Sequence, residues 1–125
     1  PGDGDLATAS VRWLTVVDTL NIDSDVGLDF FYQYEVVIDG DPLPYALTLE
    51  RCITIAGTAE SCTTEPRSAL PGMSGVRWGI DPTMYAIGEN HYTFTLTLDR
   101  GGTVVDTDVL DQIAIVTACT TCIGS

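Results

Sequence analysis

Between Tyr92 and Leu98 the chain alternates without a break, with Tyr92, Phe94, Leu96 and Leu98 on one side and Thr93, Thr95 and Thr97 on the other. Successive side chains of an extended backbone point to opposite faces, so this stretch reads as a strand with one apolar and one polar face. The same period of two recurs along the chain. Residues 7–18 place Val11, Trp13, Thr15 and Val17 on one face, and residues 30–38 do the same with Tyr32, Tyr34, Val36 and Ile38. Leu47, Leu49, Ile53 and Ile55 share a face of the next run, interrupted by Arg51. A helical period of 3.6 is found nowhere, and only residues 82–86 suit a helical turn. Turn-forming groups separate the runs: Asp39-Gly40-Asp41-Pro42, Ala56-Gly57-Thr58, Pro71-Gly72, Asp81-Pro82 and Arg100-Gly101-Gly102. Seven to eight short strands, all antiparallel by the length of their connections, predict an all-β fold, a single antiparallel β-sandwich of immunoglobulin-like or jelly-roll-like type.

A length of 125 residues fits one sandwich domain over 1–125, with 1–6 as a flexible or exchanged N-terminal arm and 118–125 as a cysteine-containing tail. Apolar residues make up 45% of the chain and charged residues only 18%, which excludes the disordered class. The charge is one-sided: eighteen acids face five arginines and no lysine, a net charge of -13. Such a surface repels phosphate backbones and anionic headgroups, which excludes nucleic-acid partners and electrostatic membrane docking. Thirteen of the acids are Asp, which disfavours element interiors and prefers turns and cation-binding loops. Two causes fit the excess, a surface adapted to high ionic strength or loops that hold divalent cations. The chain begins at Pro1 without a basic or long apolar leader, and no stretch is long enough for membrane insertion, so it reads as a mature, exported segment.

The segment Glu89-Asn90-His91-Tyr92-Thr93-Phe94-Thr95-Leu96-Thr97-Leu98, followed by a Gly-Gly hairpin and Thr103-Val104-Val105, resembles the last hairpin of immunoglobulin-like modules of microbial surface proteins, the polycystic-kidney-disease type among them. The likeness is confined to residues 89–105, and the Cys…Trp…Cys spacing of antibody-type domains is absent. The resemblance implies a stalk, spacer or adhesion role without catalysis.

Four cysteines in a small, lysine-free chain favour an oxidising compartment, extracellular or at the cell surface. Cys52 and Cys62 are symmetric about Gly57, so a hairpin there sets their sulfurs across the ladder and predicts a cross-strand disulfide. Local pairing of Cys119 with Cys122 completes the preferred connectivity, and bridges from the tail to the 52–62 hairpin are the alternative. Cys119-Thr120-Thr121-Cys122 lacks the following helix that would activate a redox thiolate, and the nine residues between Cys52 and Cys62 suit no zinc knuckle.

Asn21, Asp23, Asp25 and Asp29 present oxygen ligands at positions 1, 3, 5 and 9 of a loop, which makes calcium the candidate metal. Val26 stands where an EF-hand needs Gly, and Tyr32 where it needs a bidentate Glu, so only a looser strand-end site fits, helped by Asp39, Asp41 or Asp81. The competing reading is an Asp-rich turn whose side chains cap their own backbone.

Catalytic signatures are sparse. His91 is the only histidine and sits at a strand start, Asp106-Thr107-Asp108 is not Asp-Thr-Gly and puts both acids on one face, and no phosphate-binding or nucleophile-elbow motif occurs. Trp13, Trp78 and Tyr85 either line a sugar-binding face or fill the core. The sequence therefore points to a non-catalytic extracellular structural protein, a subunit or module of a cell-surface filament, pilus, sheath or surface layer, whose partners are copies of itself or other surface proteins. The apolar run Ile113-Ala114-Ile115-Val116 and the strand after the N-terminal arm make strand addition through a terminal strand the expected assembly route. A carbohydrate- or protein-binding adhesion module is the first alternative, and a small secreted hydrolase the second.

Overall fold

The computed structural model describes residues 9–23, 28–80 and 82–118. Eight strands form in chain order: β1 (Ala9–Trp13), β2 (Leu20–Asp23), β3 (Leu28–Ile38), β4 (Tyr45–Thr54), β5 (Ser61–Arg67), β6 (Gly72–Ile80), β7 (Gly88–Arg100) and β8 (Thr103–Thr117). Among the described residues one 3-10 turn, Pro82–Met84, lies at the place expected for a helical turn. The strands make two sheets, one ordered β1-β3-β6 and the other β2-β8-β7-β4-β5. The chain is an all-β sandwich.

Strand order separates the two sandwich types. Lettered as an immunoglobulin sandwich, β1, β3 and β6 take the places of A, B and E, while β4, β7 and β8 take those of C, F and G and β5 adds a further strand beside C. No described strand stands in the place of D.

Alternation dictated the inner faces. Tyr32, Tyr34 and Val36 of β3 and Tyr92, Phe94, Leu96 and Leu98 of β7 are all buried, facing Leu47 and Leu49 of β4 and Val76 and Ile80 of β6. Aromatic rings tie the sheets together at the centre. The Tyr32 and Phe94 centroids lie 5.1 Å apart, Trp78 stands edge-on to Phe94 at 5.2 Å, and Trp13 edge-on to Phe94 at 6.3 Å. Antibody domains join the corresponding strands by a disulfide, and here rings fill that space. The Tyr92 hydroxyl donates to the Met84 carbonyl at 3.0 Å, a corner bond near the start of β7 that fixes the preceding loop, as a tyrosine does on strand F of immunoglobulin sandwiches.

Two expectations need correction. Residues 7–18 do not form one strand: β1 ends at Trp13, and after a crossover the chain joins the other sheet as β2. The ladder stops because Thr15 turns onto Gln33, whose N–H donates to Thr15 Oγ1 at 2.8 Å while its carbonyl accepts from Leu14 N. Nor are all pairs antiparallel. β2 runs parallel to β8, with Leu20 opposite Ala114 and Asp23 opposite Thr117, because a chain that changes sheets without reversing meets the last strand running its own way. Parallel pairing is possible because the whole of β3 to β7 intervenes.

Within the single chain the two terminal strands are both paired. Both complete their own sandwich, β1 against β3 and β8 between β7 and β2, with Ala114 and Val116 in the core and Ile113 and Ile115 half-buried on the other face. The N-terminal arm 1–6 lies outside the described residues.

Candidate functional site

The sandwich has two poles and four sheet edges, and its polar side chains are distributed between them. At one pole stand the start of β1, the β3–β4 loop, the β5–β6 loop and the β7–β8 turn. The opposite pole carries the β4–β5 turn, the β6–β7 corner and the end of β8. β1 therefore enters at one pole and β8 leaves at the other, as the register of Ala9 with Ile38 and of Val116 with Gly88 requires.

The hairpin geometry puts Cys52 directly across from Cys62, and the two form the expected disulfide. The turn closes with Thr58 N donating to the Ile55 carbonyl at 2.8 Å, and Gly57 holds the positive φ of 83°. A disulfide of this kind marks a non-reducing setting. Cys119 and Cys122 lie outside the described residues. Glu50 joins Cys52 and Cys62 as the one cluster of three metal-ligand types among the described residues, but the bridge occupies both sulfurs.

The calcium candidates that can be described lie on two strands. Asn21 and Asp23 are exposed on β2, and Asp23 Oδ1 accepts from Thr117 Oγ1 at 3.4 Å. Asp29 belongs to the other sheet and pairs with Arg77 at 3.5 Å. Asp25 and Asp81 lie outside the described residues. Asp41 caps its own loop by accepting from Leu43 N at 3.0 Å, the behaviour expected of a turn aspartate.

Trp13, Trp78 and Tyr85 all belong to the core: Tyr85 is buried, and the two tryptophans are half-buried against Tyr32, Tyr34, Tyr92 and Phe94. His91 is exposed and contacts Glu89.

Asp106 and Asp108 have a role that the sequence did not disclose. Asp106 Oδ2 accepts from Val11 N at 2.9 Å and Asp108 Oδ2 from Trp13 N at 2.7 Å. These N–H groups point away from β3, on the open edge of β1. The two carboxylates close that edge with charge-assisted bonds and tie the sheets together. Alternation signalled their shared face, but nothing local identifies a partner 95 residues away.

A second unforeseen centre is Asn90, fully buried at the start of β7. Its Oδ1 accepts from Ala56 N at 2.9 Å and Ala86 N at 3.0 Å, and its Nδ2 donates to the carbonyls of Ala86, Gly88 and Ala114 at 2.8, 3.2 and 3.4 Å. One amide thus holds the β4–β5 turn, the β6–β7 corner and β8 together. Ile87, between the two clamped residues, is turned out and 63% exposed.

At the far end of β7, Pro42, Leu43, Tyr45, Ala69 and Leu70 line an open notch of about 170 Å³. Leu43 and Leu70 are 86% and 66% exposed there. The Arg100 guanidinium lies 5.6 Å over the Tyr45 ring. Every other arginine is engaged by a carboxylate: Arg12 by Glu35, Arg51 and Arg67 by Glu65, Arg77 by Asp29. Arg100 has no such partner among the described residues.

No protein-family model matches the chain, and no curated protein sequence matches it. The site must be read from its own chemistry.

Proposed function

We propose that the chain is a non-catalytic structural protein of the cell exterior, a disulfide-stapled β-sandwich acting as subunit or module of a surface filament, pilus, sheath or surface layer. The observation that carries this reading is the opposite placing of the two strand ends, β1 entering at one pole and β8 leaving at the other, which suits modules set end to end. The defended edges support it. Asp106 and Asp108 close β1, β2 is four residues long, and β5 carries Pro66 and the disulfide, so side-by-side sheet growth is disfavoured relative to contact through the poles. The likeness of residues 89–105 to surface-protein modules agrees with this use. The adhesion-module alternative lost its strongest support when the tryptophans went into the core. Calcium remains the proposed ligand of the loop spanning residues 21–29.

Electron microscopy of the native material tests the reading, with ordered polymers expected. A monodisperse monomer at high protein concentration and high salt overturns it.

A further inference from the structure

Single exposed apolar side chains are ordinary on a monomer, but one carried on a fixed backbone is prepared to dock. Ile87 is one: Asn90 hydrogen-bonds the N–H and carbonyl of Ala86 on one side and the carbonyl of Gly88 on the other. A side chain carried on such a clamp gives up little backbone entropy on docking. The complementary feature lies at the other end of the same strand. Ile87 directly precedes Gly88, the first residue of β7, and Arg100, its last, stacks on Tyr45 of the notch. The 170 Å³ notch is lined by five apolar or aromatic side chains and has room for one branched aliphatic group.

Charge selects the occupant. A chain with eighteen acids and five arginines leaves only Arg100 without a carboxylate partner among the described residues, and it stands at the rim of the notch. The ligand that fits is an aliphatic side chain with an acid beside it. The chain itself presents this pair, since Glu89, 58% exposed, follows Ile87 by two residues.

We infer that copies of this chain join head to tail, Ile87 of one copy seated in the notch of the next and Glu89 set against Arg100. The inference rests on the filament reading and specifies its contact. A heterologous contact between opposite poles does not close on itself unless the rotation between subunits does so, and it propagates as a fibre. Because the knob and the notch sit at the two ends of the thirteen-residue β7, a strand rise of about 3.3 Å per residue sets an axial repeat of roughly 40 Å.

The test uses the full chain in about 1 M salt, where the screening length falls to about 3 Å and self-repulsion is suppressed. Sedimentation velocity over a concentration series compares the wild type with Ile87→Ser and Leu70→Ser, both at exposed positions and both checked for an unchanged melting temperature. Each variant alone should associate at least about tenfold more weakly. An equimolar mixture of the two should give dimers that grow no further, since only one intact knob meets one intact notch. Repeated at about 0.15 M salt, where the screening length is about 8 Å and the exposed pair keeps its attraction, Glu89→Arg and Arg100→Glu should each weaken assembly, and the two together in one chain should restore it. A wild type that stays monomeric overturns both the filament reading and this contact. A wild type that assembles while Ile87→Ser and Leu70→Ser assemble equally well, or variants whose mixture yields no dimer, overturn the contact and leave the filament reading standing.

Discussion

Replacing Asn90 by Ala removes the side chain on which three separate segments converge. The loss can be worked from its bonds. Two backbone donors, Ala56 N and Ala86 N, lose their acceptor at a site where the side chain itself is fully buried. A buried donor left without a partner costs about 1 to 3 kcal/mol. The three carbonyls lose less, because each keeps a second lone pair and two of the three bonds are longer than 3 Å. Relaxation of the corner admits water to some of these groups, which brings the sum to about 3 kcal/mol. For a domain of this size, that lowers the melting temperature by roughly 10 °C. Chemical denaturation of Asn90→Ala should therefore show a lower midpoint with an unchanged slope. Asn90→Asp makes a sharper comparison. It keeps the acceptor for Ala56 and Ala86 but turns a carboxylate toward three carbonyls, so its proton is held more tightly in the folded state than in the unfolded one. Its stability should be greatest below the unfolded carboxyl value near 4 and should fall as pH rises through the raised folded value. A loss under about 1 kcal/mol for Asn90→Ala, or a pH-independent Asn90→Asp, would refute the clamp.

The other expectations concern the staple, the hydroxyls, the closed edge and the ions. Cys52→Ser with Cys62→Ser frees a loop of sequence separation 10 and should cost about 3 kcal/mol by chain entropy, measured as a lower denaturation midpoint. Burial, assisted by Tyr85, pushes the Tyr92 hydroxyl up to about 12, and burial raises Tyr32 further still. Both folded values exceed the unfolded value near 10, so the stability they confer is complete below pH 10 and drains away above it, by at most about 1.4 kcal/mol per pH unit for each group. A stability profile flat from pH 9 to 12 would contradict this. Asp106→Ala with Asp108→Ala should expose two backbone donors on β1, lower stability by about 2 to 4 kcal/mol and increase amyloid-type dye binding on partial unfolding. Calcium should raise the melting temperature at fixed ionic strength, and Asp23→Ala with Asp25→Ala should abolish the increment; an equal response to sodium would leave only screening.

Much of the architecture was legible because it is written in side-chain alternation. The inward residues of β3, β4 and β7 were all readable, since a period of two has a single meaning once one face must be dry. The Cys52–Cys62 bridge was legible for a related reason: two positions symmetric about a turn residue must face each other across a hairpin. The break after Trp13 was not legible. Thr15 and Val17 continue the alternation, and only the side-chain bond from Thr15 to the Gln33 backbone shows that the strand has ended. The parallel β2–β8 pair depends on that break, so it was hidden as well. Asn90 reads locally as a residue at a strand start. Its importance arises from three segments at separations of 34, 4 and 24 residues meeting around it, which no local pattern encodes.

The same distinction bears on the assembly proposed for a chain of net charge -13. Exposed edges invite pairing at any register, whereas poles accept contact only where a shape and a charge coincide. The acids serve the first problem directly. Asp106 and Asp108 occupy the β1 edge, and Glu65 bridges Arg51 and Arg67 at the inner side of the β5 edge. From there Arg67 reaches the Gly75 carbonyl at 2.9 Å, on the outer side of β6. That bond blocks the middle of the longest acid-free edge strand, and a hydrogen bond with Tyr34 is the largest of the effects that hold Arg67 in its charged form. The remaining acids repel neighbours in every direction, and salt weakens that repulsion without touching an apolar contact. On the proposed head-to-tail contact, a charge pattern of this kind leaves assembly to places where an apolar fit and an opposite charge coincide, as Ile87, Glu89 and Arg100 would supply at the two ends of β7.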